Sequence, residues 1–98
     1  MAHYSLSFSA VQDVVHILDA IREQSGPVRA KSFAIRIGEA LTSLASAPRV
    51  GREMPGLYGA PRCFAISPWS VLYSPSTDGR GMHVLRIVDG RRDLSDNL

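Results

Sequence analysis

Cysteine, lysine and tryptophan each occur only once in this chain of 98 residues. Because Cys63 has no second cysteine to pair with, an internal disulfide is excluded, which fits a protein of the reducing cytoplasm. No apolar run approaches the roughly 20 residues that a membrane-spanning helix needs. The first residues lack the basic flank and the apolar core of an export signal. We therefore expect a cytoplasmic protein without a membrane segment.

The residue groupings typical of metal, thiol and phosphate chemistry are also missing. The histidines, His3, His16 and His83, show no metal-ligand spacing. Cys63 has no histidine or second cysteine at a motif distance, so a thiol enzyme is not indicated. No glycine-rich phosphate loop follows a predicted strand. We expect neither a cofactor nor a metal.

Basic side chains are only slightly in excess, but they are unevenly placed. Residues 1–48 carry four basic and four acidic side chains, whereas residues 49–98 carry seven arginines against five acids. Ten of the eleven basic residues are arginine, a side chain suited to planar, bidentate contacts with carboxylates or phosphates. A bias in genome composition would explain the arginines equally well. An acidic partner is therefore one of two open interpretations.

A strand followed by two helices is predicted for the first half of the chain. Apolar residues alternate with serines from Tyr4 to Phe8, which is typical of a half-buried strand. Ser9 and Gln12 have the spacing of a capping box, and two apolar stripes at helical spacing follow. Two such helices joined by a short turn should form an antiparallel hairpin. The helices are predicted over about residues 10–24 and 28–47.

The second half is predicted to be a loop followed by three strands. Residues 49–61 are rich in glycine and proline, as loops are. Short apolar runs joined by turns then predict an antiparallel meander, whose edge the N-terminal strand should join to give four strands. The predicted fold class is α+β in one domain, residues 1–98: an N-terminal strand, a helical hairpin and a three-stranded antiparallel meander. Its strands are predicted over residues 62–66, 69–73 and 82–88.

Four short segments of the second half occur in an order that is more specific than any one of them alone. They are Pro48-Arg49-Val50-Gly51-Arg52-Glu53, Pro61-Arg62-Cys63-Phe64, Val71-Leu72-Tyr73 and residues 84–93. With this order of elements, the chain from Tyr4 to about Leu94 resembles the ParE toxins of the RelE/ParE superfamily. Those proteins are the toxic halves of bacterial type II toxin–antitoxin pairs. The chain departs from the family at Asp89, where many relatives have histidine, and at Trp69, where many have tyrosine.

Arg86 interrupts the apolar last strand. Strict alternation places it on the face opposite Leu85 and Ile87. Because arginine is rarely buried without a partner, we expect that face to lie open rather than under the helices. Arg62, on a neighbouring strand, could project from the same face and form a basic site with Arg86. The alternative is that each arginine pairs with a surface carboxylate, which contributes little to stability.

Tyr73 and the pair Arg91 and Arg92 are the remaining candidates. Tyr73 could hydrogen-bond or stack at a site, but its position in a strand favours a core aromatic. Arg91 and Arg92 lie in the terminal segment, where they are either solvated or part of the surface that meets a target or an antitoxin. The resemblance matches Arg62 and Arg86 to arginines that bind the phosphate backbone of the messenger in the ribonuclease branch of the superfamily.

The resemblance implies two functions. A ParE-like toxin would inhibit DNA gyrase by binding, without chemistry of its own, using Arg62, Arg86, Arg91 and Arg92. It would form a hetero-oligomer with a ParD-like antitoxin, whose flexible segment folds onto it. A RelE-like toxin would instead cleave ribosome-bound messenger, with Arg62 and Arg86 stabilising transition-state charge and Tyr73 assisting.

The residues around the predicted site favour the gyrase inhibitor. A histidine at position 89 could transfer protons near neutral pH, but Asp89 should be a plain anion that repels phosphate. The only lysine, Lys31, is expected on a helix, remote from the sheet. A third possibility is a toxin relic, retained only as the binding partner of its antitoxin.

Overall fold

Two helices and a five-stranded sheet form the fold in this computed structural model, which describes residues 3–77 and 80–89. The α+β class predicted from the sequence is confirmed. In chain order the elements are β1 (His3–Leu6), α1 (Phe8–Ser25), α2 (Pro27–Ser46), β2 (Arg52–Glu53), β3 (Arg62–Ile66), β4 (Trp69–Pro75) and β5 (Gly81–Asp89).

The N-cap of the first helix lies two residues before the predicted one. Ser7, not Ser9, is the N-cap, and its hydroxyl accepts a 3.0 Å hydrogen bond from the amide of Ala10. The same hydroxyl donates to the carbonyl of Leu85 at 2.8 Å, and the Ser7 amide donates to the carbonyl of Val84. The backbone of β5 therefore fixes the point at which the chain leaves β1. Local spacing alone could not distinguish this serine from its neighbours.

The helices form the predicted antiparallel hairpin with a turn of one residue. Gly26 has a φ of 89°, and its amide donates to the carbonyl of Arg22, which ends α1. Pro27 then occupies the first position of α2, where its missing N–H leaves no bond unmade. The apolar stripe of α2 is buried against the sheet, and its members include Phe33, Ile37, Leu41 and Leu44.

The sheet has the strand order β1-β5-β4-β3-β2 and is mixed. The meander of β3, β4 and β5 is antiparallel as predicted, and β1 joins its edge. The direction of β1 was not predicted, and it runs parallel to β5. Alternation shows which face of a strand is buried but not which way it runs. The fifth strand, β2, was predicted as loop because two residues are too few to show a period.

Both faces of the sheet carry apolar side chains. The helices cover the face that presents Val71, Tyr73, Val84 and Ile87, which form the main core with α2. A smaller cluster lies on the other face, under the segment between β2 and β3. Its members are Cys63 and Leu72, with Met54, Leu57, Leu85 and Val88 packed against them.

An irregularity in β5 breaks the alternation on which the position of Arg86 was predicted. Tyr73 pairs with Val84 and Leu72 pairs with Arg86, so Leu85 is the extra residue of a β-bulge. Beyond the bulge the side chains change faces, and Leu85 and Ile87 belong to different apolar clusters. The expectation that Arg86 lies opposite both of them is therefore wrong.

Neither described helix combines the length and the apolar content that crossing a bilayer requires. Within residues 3–77 and 80–89, no three histidine, cysteine, aspartate or glutamate side chains converge as a metal site would need.

Candidate functional site

Arg86 is held by a carboxylate from the first helix. Its Nε donates to Oδ2 of Asp13 at 2.8 Å and its Nη2 donates to Oδ1 at 3.0 Å, a bidentate pair. This hydrogen bonding raises the pKa of Arg86 above its ordinary value. The Arg86 side chain is 33% exposed and that of Asp13 is 14% exposed. The pairing with a carboxylate, one of the two interpretations of Arg86, is what the structure shows.

Asp13 occupies the place where a neighbouring strand would otherwise continue. Strand β1 pairs with β5 only as far as Val84, and the chain then turns into α1. Beyond that point the amide of Ile87 donates to Oδ2 of Asp13 at 2.9 Å. One carboxylate thus accepts from both the Arg86 side chain and the edge of β5, which anchors α1 to the sheet.

Arg62 holds the segment between α2 and β3. Its Nη1 donates to the carbonyls of Arg49, at 2.9 Å, and Gly51, at 2.6 Å. Its Nη2 pairs with Glu53 at 3.0 Å, and 15% of the Arg62 side chain is exposed. The Arg62 guanidinium therefore makes its hydrogen bonds and its ion pair within the chain.

Tyr73 is a core residue, as its place in a strand favoured. It is fully buried, and its hydroxyl donates to the carbonyl of Pro48 at 2.7 Å and accepts from the amide of Gly51 at 3.0 Å. A Cβ at position 51 would lie 2.3 Å from this oxygen, so glycine is needed there for the close approach. Tyr73 and Arg62 together fasten residues 48–53 to the sheet.

Burial of Tyr73 predicts a loss of stability in alkali. Desolvation raises the pKa of the Tyr73 hydroxyl above its usual value of about 10. Above that pH the unfolded chain releases this proton while the folded chain retains it, so the free energy of unfolding should fall as pH rises from about 10. Urea unfolding at pH 8 to 11 should show this fall.

Tyr73→Phe should be less stable than the parent at pH 8, by about 1–3 kcal/mol, because the Gly51 amide loses its acceptor. Its stability should then fall less between pH 10 and 11 than that of the parent. Tyr58→Phe is the control, since Tyr58 is fully exposed and its removal should leave the parent's alkaline fall unchanged. An equal alkaline fall in Tyr73→Phe would show that another group causes it.

The candidate residues do not converge on one open face. Cross-strand partners share a face. Arg62 pairs with Tyr73 on the helix-covered side, whereas Arg86 pairs with Leu72, which faces the other side. The expectation that Arg62 and Arg86 project together is therefore not met. Arg91 and Arg92 lie outside the described residues.

Two surface grooves border these elements. The first, here the sheet groove, has a volume of about 470 Å³ and lies on the face away from the helices, with Arg86 at its margin. The second, here the hairpin groove, has a volume of about 570 Å³ and lies where the helical hairpin meets the turn between β3 and β4. The sheet groove is lined by Gly56, Leu57, Tyr58, Pro61, Leu72, Leu85 and Arg86. The hairpin groove is lined by Ile21, Ser25, Val28, Arg29, Ser32, Phe33, Arg36, Pro68 and Trp69.

Sequence reasoning missed the hairpin groove. Its two arginines, Arg29 and Arg36, stand seven residues apart with Ser32 between them, which places all three on one side of a helix. This spacing in the sequence could have indicated a cationic helix face. Trp69 comes from a distant strand, so only the fold could bring it to the same place.

Comparison with known proteins agrees with this architecture. Residues 4–94 match the family model of the ParE toxin of the type II toxin-antitoxin system parDE. A search of the curated proteins found no match. Among solved structures, the chain is similar to one from the chromosomal ParDE TA system of P. aeruginosa, with a TM-score of 0.73 and 22% identity. The alignment covers 91% of this chain and 96% of that one, and at this identity it shows a shared fold.

Proposed function

Because this chain belongs to the ParE toxin family of type II toxin–antitoxin systems, we propose that it inhibits DNA gyrase by binding and that a ParD-like antitoxin neutralises it. The family supplies the toxin role, and the target and its mode of inhibition are the proposal. The observation that carries it is the state of the three residues that cleavage of messenger would use. Arg62 and Arg86 are engaged in ion pairs and Tyr73 is buried.

Catalysis by these three groups would need them at one accessible place. A general acid or base must reach the proton that it transfers, but the Tyr73 hydroxyl already has a donor and an acceptor within the core. Stabilising a transition state needs cations aimed at one reacting centre, but Arg62 and Arg86 belong to opposite faces by register. Inhibition by binding requires no such convergence.

The antitoxin proposal is supported by apolar surface that residues 3–77 and 80–89 leave uncovered. Tyr58, which lines the sheet groove, is fully exposed. An antitoxin segment that is flexible when free could fold with its apolar face in such a groove. The solved structure that is similar to this chain comes from a ParDE toxin–antitoxin system, whose name includes an antitoxin.

Two assays run in parallel test the function. The purified chain should inhibit supercoiling by gyrase and should leave ribosome-bound messenger intact. Arg91→Ala/Arg92→Ala should weaken gyrase inhibition by about tenfold to a hundredfold if one of these guanidinium groups is well paired in the complex. Arg22→Ala is the control, because Arg22 already pairs with Asp19 on the exposed side of α1.

Arg86→Ala is not the first choice here, because it would also remove a contact that holds α1 to the sheet. Ribosome-dependent cleavage of messenger by the parent chain would contradict the proposal and favour the alternative that the chain is a ribonuclease. Absence of both activities, with antitoxin binding intact, would point to a toxin relic that serves only as a binding partner.

A further inference from the structure

The hairpin groove combines an apolar floor with a cationic rim. Phe33 and Trp69 form the floor as a tilted ring pair, with centroids 4.6 Å apart and planes at 56°. Val28 lies at the edge with 79% of its surface exposed. Phe33 is largely buried, whereas Val28 and part of Trp69 remain uncovered by the described part of the chain.

The rim carries two arginines that have no carboxylate partner within the described residues. Arg36 lies over the Phe33 ring, 5.6 Å from its centroid, and Arg29 stands two helical turns before it. By contrast, Arg22, Arg62 and Arg86 are each paired with an acid. Unpaired cations beside a low-dielectric surface attract anions more strongly than solvated ones do.

The charged side chains that line the groove, Arg29 and Arg36, are both cations. From Val28 to Arg36 the chain carries three cations, the third being Lys31, and no acid. None of the residues that line the groove is acidic. An occupant must therefore supply negative charge, and it must also supply an apolar group for the floor.

We propose that the hairpin groove receives an acidic segment of the antitoxin, which places an apolar side chain against Val28 and Trp69 and carboxylates on Arg29 and Arg36. The inference rests on the proposed function, since it assigns a binding site to the antitoxin. Arginine forms bidentate pairs with carboxylates, so two of them also fix the register of the bound segment.

A nucleic acid fits the groove less well than a protein segment. Single strands are bound by stacking bases on accessible aromatic faces along a track of cations. Phe33 is only 7% exposed, so its ring is not free for a base. The exposed aliphatic side chain of Val28 instead matches an apolar side chain of a protein.

Trp69 allows a direct test, because it is the only tryptophan in the chain and lies in the groove wall. The probe is the small protein encoded beside this gene, purified and titrated into the chain. Its affinity is compared for the parent, Arg29→Glu/Arg36→Glu and Arg49→Glu/Arg52→Glu. The last is the matched control, since Arg49 and Arg52 are also exposed and lie outside the groove. Trp69→Phe provides the emission baseline.

Binding should shift the Trp69 emission, and Arg29→Glu/Arg36→Glu should weaken the affinity by about tenfold to a hundredfold. The control pair should change it by less than about threefold if the effect is local rather than one of net charge. Circular dichroism of all variants verifies that the surface substitutions leave the fold intact.

Failure of this inference can be separated from failure of the proposed function. If the parent does not bind the neighbouring protein at all, the groove assignment and the antitoxin part of the proposed function are both overturned, whereas gyrase inhibition is decided by its own assay. If the parent binds but Trp69 emission is unchanged and both charge variants bind equally, only the groove assignment is overturned. It is also overturned if Arg29→Glu/Arg36→Glu loses gyrase inhibition while keeping antitoxin affinity, or if a single-stranded oligonucleotide shifts Trp69 emission as the antitoxin does.

Discussion

Asp13→Ala should lower the free energy of unfolding by about 3 kcal/mol, because it leaves both the Arg86 guanidinium and the Ile87 amide without their acceptor. Breaking a fully buried pair costs about 3–5 kcal/mol. Arg86 is 33% exposed, so water replaces part of what is lost and places the effect at the low end. In a domain of this size the melting temperature should fall by about 12–24 °C.

Two variants show whether the effect belongs to this carboxylate. Asp19→Ala removes the other aspartate of α1, whose pair with Arg22 is exposed, and should cost less than about 1 kcal/mol. Asp13→Asn keeps an acceptor oxygen but loses the charge, so it should lie between Asp13→Ala and the parent. Urea unfolding measures all three.

A double-mutant cycle separates the ion pair from the backbone contact. Asp13→Ala, Arg86→Ala and the double variant should give a coupling energy of about 1.5–3 kcal/mol for the pair. The remainder of the Asp13→Ala effect would belong to the Ile87 amide, which no change at Arg86 removes. Equal losses in Asp13→Ala and Asp19→Ala would show that Asp13 does not anchor α1.

The sequence predicted the elements well because the apolar periods are local. The stripes of α1 and α2 and the runs of β3 to β5 identify their own structure, and the hairpin and meander follow from the short turns between them. Strand direction and the cap at Ser7 are set by β5, which lies more than 70 residues away. No local pattern carries that information.

The candidate site was harder to predict because one inserted residue changed its geometry. The bulge at Leu85 moves Arg86 to the edge where Asp13 can reach it. An arginine in an apolar strand indicated that its guanidinium needs a partner or solvent, and the structure shows the partner to be Asp13. Whether that partner is a ligand or a carboxylate of the same chain depends on where α1 packs. The presence of the arginine in the strand does not predict this position.

Gly81→Ala should be at least as destabilising as Asp13→Ala, with a loss of about 3 kcal/mol or more in the free energy of unfolding. Gly81 has a φ of 146°, which L side chains rarely adopt. An added Cβ would lie 2.2 Å from the carbonyl oxygen of His3, its partner in the parallel pairing of β1 and β5. The obstacle is backbone rather than a flexible side chain, so the two strands must separate.

Gly38→Ala is the matched control and should act in the opposite direction. A Cβ at Gly38 meets no atom within 4 Å outside the adjacent backbone of its own helix, and alanine in a helix interior is favoured over glycine by about 0.5–1 kcal/mol. Urea unfolding should therefore show one glycine variant below the parent and one above it. Hydrogen exchange should locate the Gly81→Ala defect in β1 and in the Ser7 cap that β5 fixes. If Gly81→Ala were as stable as the parent, the close parallel contact of β1 with β5 would be contradicted, and with it the placement of α1 that brings Asp13 to Arg86.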